Sequence, residues 1–122
     1  MQSNFYFIGN YSNIYKKPSK LSEVTSQIIC GEKFKILSKN KSWIKIKLLF
    51  DNYVGYIQNK QFTQKTNLNY KVSSLKARIF KKPNVETKSY LTFGSKVSAL
   101  DENKNYIKIQ KNKWIKKQML KK

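Results

Sequence analysis

Four short motifs occur twice in this chain, in the same order and at nearly the same spacing. Ile14-Tyr15-Lys16-Lys17-Pro18-Ser19 returns as Ile79-Phe80-Lys81-Lys82-Pro83-Asn84, and Gly31-Glu32-Lys33-Phe34 as Gly94-Ser95-Lys96-Val97. Ser42-Trp43-Ile44-Lys45-Ile46 returns as Asn105-Tyr106-Ile107-Lys108-Ile109, and Tyr56-Ile57 as Trp114-Ile115. Whatever the chain folds into must therefore be small enough to be built twice in 122 residues. The polar, aperiodic stretch from Thr63 to Asn69 is the natural linker, which divides the chain into residues 1–64 and 65–122. Units of about 60 residues bury a limited fraction of their surface. Aromatic residues, which cover much area per side chain, suit such cores.

The local pattern is that of strands. From Lys41 to Leu48, lysine alternates with Ile44, Ile46 and Leu48, the period of two expected of a strand with one wet face. Leu49-Phe50-Asp51-Asn52 carries turn chemistry, and Tyr53-Val54-Gly55-Tyr56-Ile57 reads as the returning strand. Further strands are expected at Ser12–Tyr15, Ser26–Cys30 and Lys33–Leu37, with Ser38-Lys39-Asn40 as a turn. Asn4–Gly9 is expected to be a leading strand packed on the first unit, and Asn59–Phe62 one helical turn that tucks Phe62 onto the core. In the second copy, Tyr70–Ser73 and Leu75–Phe80 read as strands broken by Lys81-Lys82-Pro83-Asn84, and Asp101-Glu102-Asn103-Lys104 as a turn. Each copy is thus expected to have about five short strands, a long polar loop after the first and a closing helical turn. Short strands at this spacing, with no amphipathic helix of useful length, predict an all-β chain of two small barrels, since curling hides sheet edges.

Composition limits the chemistry. Histidine is absent, so Cys-His and Ser-His pairs and the usual zinc sites are excluded. Cys30 is the single cysteine and ends an apolar run, which suits a small buried residue. The six carboxylates are scattered, and no glycine-rich phosphate loop occurs. No catalytic residue, metal or cofactor is expected. The formal charge of +20, from 26 basic and 6 acidic residues, favours an anionic partner: nucleic acid, anionic membrane or cell-wall polymer. All the basic residues but Arg78 are lysine, which fits compositional drift in an Asn-, Ile- and Lys-rich chain. No apolar run approaches the roughly 20 residues of a membrane-spanning helix. Met1–Asn10 is too short and polar for a signal peptide. The chain as written is expected in the cytoplasm, or in the cell envelope where an export signal has been removed.

The aliphatic-aromatic-x-x-Pro opening, Gly-x-x-apolar, Trp43-Ile44-Lys45-Ile46 and Tyr53-Val54-Gly55-Tyr56-Ile57 together resemble the bacterial SH3-like domain. The tandem order, with Leu91–Val97 and Lys113-Trp114-Ile115, resembles the two SH3-like modules that precede the catalytic domain of NlpC-type cell-wall cysteine endopeptidases, especially alphaproteobacterial ones. The resemblance implies two five- or six-stranded, partly open barrels. It also implies a groove between the long loop after the first strand and the turn before the Trp43 strand. Candidates to line that groove are Tyr15, Trp43, Tyr53 and Tyr56 in the first copy and Phe80, Tyr106 and Trp114 in the second. Core packing and ligand contact are both open to these aromatics. The catalytic Cys and His of such enzymes have no counterpart here, so no catalytic role carries over. The implied partners are peptidoglycan or its peptides, or a hydrolase catalytic domain that the modules position or shape. A lysine-rich face for nucleic acid or another anionic polymer is the alternative. Lys113 replaces Gly55 in copy two, so the two barrels are not expected to close alike: a ligand is expected first on copy one, and an interdomain or partner contact on copy two.

Overall fold

The computed structural model describes residues 4–64 and 66–122, and the expected boundary residue Lys65 lies outside them. The chain forms two compact units, Met1–Lys65 and Thr66–Lys122. Among the described residues, all regular structure is strand, apart from one 3₁₀ turn.

Unit 1 contains β1 (Asn4–Phe7), β2 (Tyr11–Tyr15), β3 (Val24–Ile29), β4 (Lys33–Asn40), β5 (Trp43–Leu48), β6 (Val54–Gln58) and β7 (Phe62–Thr63). They make one antiparallel sheet in the order β3-β2-β6-β5-β4-β1-β7. The sheet is open, with β3 and β7 at its edges. Alternation dictates what is buried: Ile44, Ile46 and Leu48 of β5 point inward with Phe7, Ile14, Ile28, Phe34 and Ile57, while Lys45 and Lys47 point out.

Unit 2 contains β8 (Tyr70–Val72), β9 (Lys76–Lys82), β10 (Val85–Thr92), β11 (Lys96–Val97), β12 (Asp101–Glu102), β13 (Tyr106–Gln110), β14 (Lys113–Lys116), the 3₁₀ turn η1 (Lys117–Met119) and β15 (Leu120–Lys121). Its strands divide into a five-stranded sheet, β10-β9-β14-β13-β12, and a three-stranded one, β11-β8-β15.

The two units repeat each other at the level of hydrogen bonds. In unit 1 the Gly31 amide donates to the Phe7 carbonyl (2.7 Å), the Phe7 amide to the Glu32 carbonyl (2.9 Å) and the Ile8 amide to the Gln61 carbonyl (2.9 Å). In unit 2 the Gly94 amide donates to Val72 (3.1 Å), the Val72 amide to Ser95 (2.8 Å) and the Ser73 amide to Met119 (2.9 Å). Gly31 and Gly94 both have φ of 88°, the left-handed turn that glycine takes without steric cost. In each set the first two bonds join the leading strand, β1 or β8, to the glycine turn before β4 or β11, and the third joins the end of that strand to the segment before β7 or β15. The leading strand is therefore part of each repeat, which the dissimilar sequences Asn4–Phe7 and Tyr70–Val72 hid.

The structure corrects several local expectations. Seven and eight strands replace the expected five per copy. Ser38–Asn40 continues β4, and the turn falls at Lys41, where φ is 56°. Asn59–Gln61 is not helical. The helical turn exists only at the equivalent place in unit 2, as η1, although Phe62 does pack on the core of unit 1. Thr63 pairs with Tyr6 and so belongs to a strand, not to the linker. Asp101-Glu102 forms β12, with the turn just after it, where Asn103 Oδ1 accepts from the amides of Asn105 and Tyr106. The largest departure is in copy two. No long loop follows β9; Pro83-Asn84 makes a tight turn (Asn84 φ 71°) directly into the eight-residue β10.

One buried group marks where the copies diverge in chemistry. At the position after the turn glycine, Glu32 Oε1 accepts from the Ile29 amide at 3.0 Å. Its counterpart Ser95 is fully buried, and its hydroxyl has no partner among the described residues. An unsatisfied buried hydroxyl costs free energy that a methyl group does not. Ser95→Ala is therefore expected to stabilise the protein by about 1 kcal/mol, read as a higher urea midpoint at unchanged slope; a lower midpoint would show that the hydroxyl is satisfied in solution.

Candidate functional site

The outer faces of β2, β5 and β6 bring three of the expected residues of unit 1 together. Tyr15 pairs with Tyr56 across β2 and β6, and Tyr56 pairs with Lys45 across β6 and β5. Directly opposed residues share a face, so Tyr15, Tyr56 and Lys45 line one surface, with Trp43 two residues along from Lys45. The rings of Tyr15 and Trp43 meet edge to face, 5.4 Å between centroids and 88° between planes. Tyr15, Trp43 and Tyr56 are all half-buried, leaving part of each ring in solvent. Tyr53 is separated from this group. It precedes β6 on the parity of Gly55 and Ile57, and it packs against the core cluster.

Unit 2 repeats the arrangement with different side chains. Phe80 pairs with Trp114, which pairs with Lys108, and the Phe80 and Tyr106 rings meet edge to face at 5.1 Å and 72°. Phe80 and Tyr106 are buried here, at 5% and 7% exposure, while Trp114 is half-buried. The Tyr106 hydroxyl donates to Asn84 Oδ1 at 3.3 Å, tying the β9–β10 turn to the start of β13. A pocket of about 440 Å³ lies there, lined by Asn84, Lys104, Asn105, Tyr106, Lys116, Lys117 and Gln118. It occupies the place of the expected groove, between the turn after β9 and the turn before β13. Lys117 Nζ pairs with Glu102 Oε2 at 2.9 Å on its border.

A second pocket in unit 2, of about 280 Å³, is lined by Lys76, Arg78, Phe80, Glu86, Lys88, Tyr90, Lys116 and Met119. Most of these side chains were not anticipated. The available signal was Arg78, the single arginine among 26 basic residues. Both pockets lie in copy two, where an interdomain or partner contact is expected and a ligand is expected first on copy one.

The replacement of Gly55 by Lys113 has a geometric cause. A Cβ on Gly55 would lie 2.4 Å from Ile14 Cγ2 and 3.2 Å from the Tyr15 carbonyl oxygen, so β2 and β6 approach too closely for any side chain. In unit 2 a register shift between Lys108 and Gln110 sets Lys113 opposite Gln110, while Gly55 faces Ile46 in an unbroken ladder. Cys30 is buried, at 4% exposure. Among the described residues, no group of three or more His, Cys, Asp or Glu side chains could hold a metal ion.

Residues 14–62 match the family model described as the bacterial dipeptidyl-peptidase SH3 domain. This part of the chain is similar to a bacterial SH3-like domain. The SH3-like fold extends further. A crystal structure of an NlpC/P60 family protein from Bacillus cereus is similar over 98% of this chain and 56% of its own, with a TM-score of 0.72 and 14% identity. NlpC2 and NlpC1 of Trichomonas vaginalis are also similar, at 17% identity and TM-scores of 0.44 and 0.45, covering 48% and 46% of those chains. The chain thus spans about half the length of the solved structures it resembles. A comparison with curated proteins found no match.

Proposed function

We propose that this chain is a non-catalytic tandem SH3-like module that recognises peptidoglycan or its peptides and positions a cell-wall hydrolase on them. The observation that carries this is the row Tyr15, Trp43, Tyr56 and Lys45 on one face of unit 1, within the residues that match the SH3 family model. Partly exposed aromatic rings offer flat apolar surface to sugar rings or extended peptides, and the neighbouring ammonium suits a carboxylate. These groups bind and orient. The likeness of fold to an NlpC/P60 family protein supports the link to hydrolases.

Co-sedimentation with purified peptidoglycan stripped of attached polymers tests this. Trp43→Ala and Tyr56→Ala are each expected to weaken binding about tenfold, equivalent to roughly 1.4 kcal/mol. Unchanged binding by both folded variants would exclude the aromatic row as the contact surface.

A further inference from the structure

The 280 Å³ pocket of unit 2 is a place where equivalent strands of the two copies differ in charge. Strand register supplies the comparison. Arg78 faces Tyr90 across β9 and β10, as Asn13 faces Gln27 across β2 and β3. In unit 1 that spot is a closed neutral pair, Gln27 Nε2 donating to Asn13 Oδ1 at 3.0 Å. Lys76, opposite Thr92, takes the place of Tyr11, opposite Ile29. Lys116, one residue past Ile115, takes that of Gln58, one past Ile57. Three neutral positions have become cationic around one concavity. Lysine drift acts on any position of the chain, but it does not produce an arginine, and Arg78 is the single one.

The local backbone builds the pocket. β10 bulges, with Glu86 opposite Phe80 and Tyr90 opposite Arg78, so residues 87–89 crowd against Ile79 alone. The bulge is stitched by Thr87 Oγ1, which donates to the Ile79 carbonyl at 2.6 Å and accepts from the Ser89 amide at 3.1 Å. Arg78 Nη1 donates to the Thr87 carbonyl at 3.3 Å, which ties the guanidinium to the bulge. Lys76 Nζ stands 4.7 Å from the Tyr90 ring centroid and Lys116 Nζ 5.6 Å from that of Phe80. Such contacts hold ammonium groups beside ring faces.

Lys76, Arg78, Lys88 and Lys116 thus surround a space that contains one carboxylate, Glu86. A single carboxylate ligand would leave most of this charge uncompensated. A phosphate group carries up to two charges and several strong acceptor oxygens, and the planar arginine fork matches it in geometry. The exposed Tyr90 ring adds an apolar surface of the kind that sugar rings pack against. We propose that this pocket binds a phosphate group carried on a sugar. The site is carried by unit 2 alone and is separate from the aromatic row of unit 1.

Titration of the full chain with N-acetylglucosamine 6-phosphate, followed by amide chemical shifts, tests the assignment. Shifts are expected at Arg78, Thr87 and Tyr90, with no comparable change for unphosphorylated N-acetylglucosamine and weaker binding of inorganic phosphate. Arg78→Gln is expected to weaken the sugar phosphate about tenfold, as loss of a charge-assisted bidentate contact does, and Arg78→Lys by less. Unaltered affinity of Arg78→Gln would overturn the site. Inorganic phosphate binding as tightly as the sugar phosphate, or an oligothymidylate binding more tightly per phosphate, would overturn the sugar assignment. Arg78→Gln should retain binding to polymer-free peptidoglycan, and Trp43→Ala should retain the sugar phosphate, so the two sites can fail separately.

Discussion

Phe34→Ala is expected to remove most of the stability of unit 1. Phe34 is fully buried on β4 and touches both edges of the strand cluster that the leading strand holds together. Its ring lies 6.1 Å from Phe5 of β1 and 5.8 Å from Phe62 of β7, and those two rings meet at 5.4 Å and 89°. Deleting a buried phenylalanine ring costs about 3–5 kcal/mol, the lost transfer energy plus the cavity. A unit of this size has a total stability of only about 3–10 kcal/mol. The expected result is loss of cooperative unfolding, or a urea midpoint lowered by more than half, for the signals of unit 1. A loss below about 1 kcal/mol would mean that the three-ring cluster is not a core element in solution.

Gly55→Ala is expected to cost nearly as much, for the opposite reason. It adds one methyl group where there is no room. The nearest atoms are Ile14 Cγ2, on a residue with no solvent exposure, and the Tyr15 backbone oxygen. Neither is the free end of a flexible side chain. Overpacking of a filled core typically costs about 1–3 kcal/mol, and a contact this short places Gly55→Ala at or above the upper end. The strain falls on the β2–β6 pairing that sets Tyr15 beside Tyr56, so the variant is expected to lose peptidoglycan binding together with stability. A parallel change at Lys113 should have little effect, because the bulge between Lys108 and Gln110 already accommodates a side chain there. Thermal melts of Gly55→Ala and Lys113→Ala, run side by side, decide the matter. Equal melting points would remove the close-approach argument.

Much of the architecture was legible because it is local. The alternation from Trp43 to Leu48 expresses which face of β5 is buried, and it is as clear in the letters as in the fold. Gly31 and Gly94 announce turns, since their conformation disfavours other residues. The aromatics at Tyr15, Trp43 and Tyr56 were marked by their place in the repeat, and the register that pairs Tyr15 with Tyr56 pairs Phe80 with Trp114. Tyr53 was not separable from Tyr56 by type or proximity. Only the parity of the strand, anchored at Gly55, puts them on opposite faces.

Other features were illegible for identifiable reasons. β1 and β8 were expected as strands but not as equivalents in the repeat: each is paired on both sides through backbone hydrogen bonds, and those bonds leave little trace in side chains. The Lys-Lys-Pro break occurs in both copies, yet it opens a long connection in one and a tight hairpin turn in the other. A proline limits its own residue and its neighbour, not the length of the connection it begins.

The sequence by itself determined that the chain is all strand, that it is built twice, and which residues of each strand are apolar and so inward, because strand periodicity and turn conformation are properties of a few consecutive residues. Tertiary structure alone decided which exposed groups meet. Arg78, Tyr90, Glu86 and Lys116 come from three strands, and their convergence depends on a bulge in β10 and on the pairing of β14 with β9. In the sequence they are scattered charges in a basic chain. Folded, they surround one concavity, because sheet register brings distant residues side by side and no single segment encodes its partner's register.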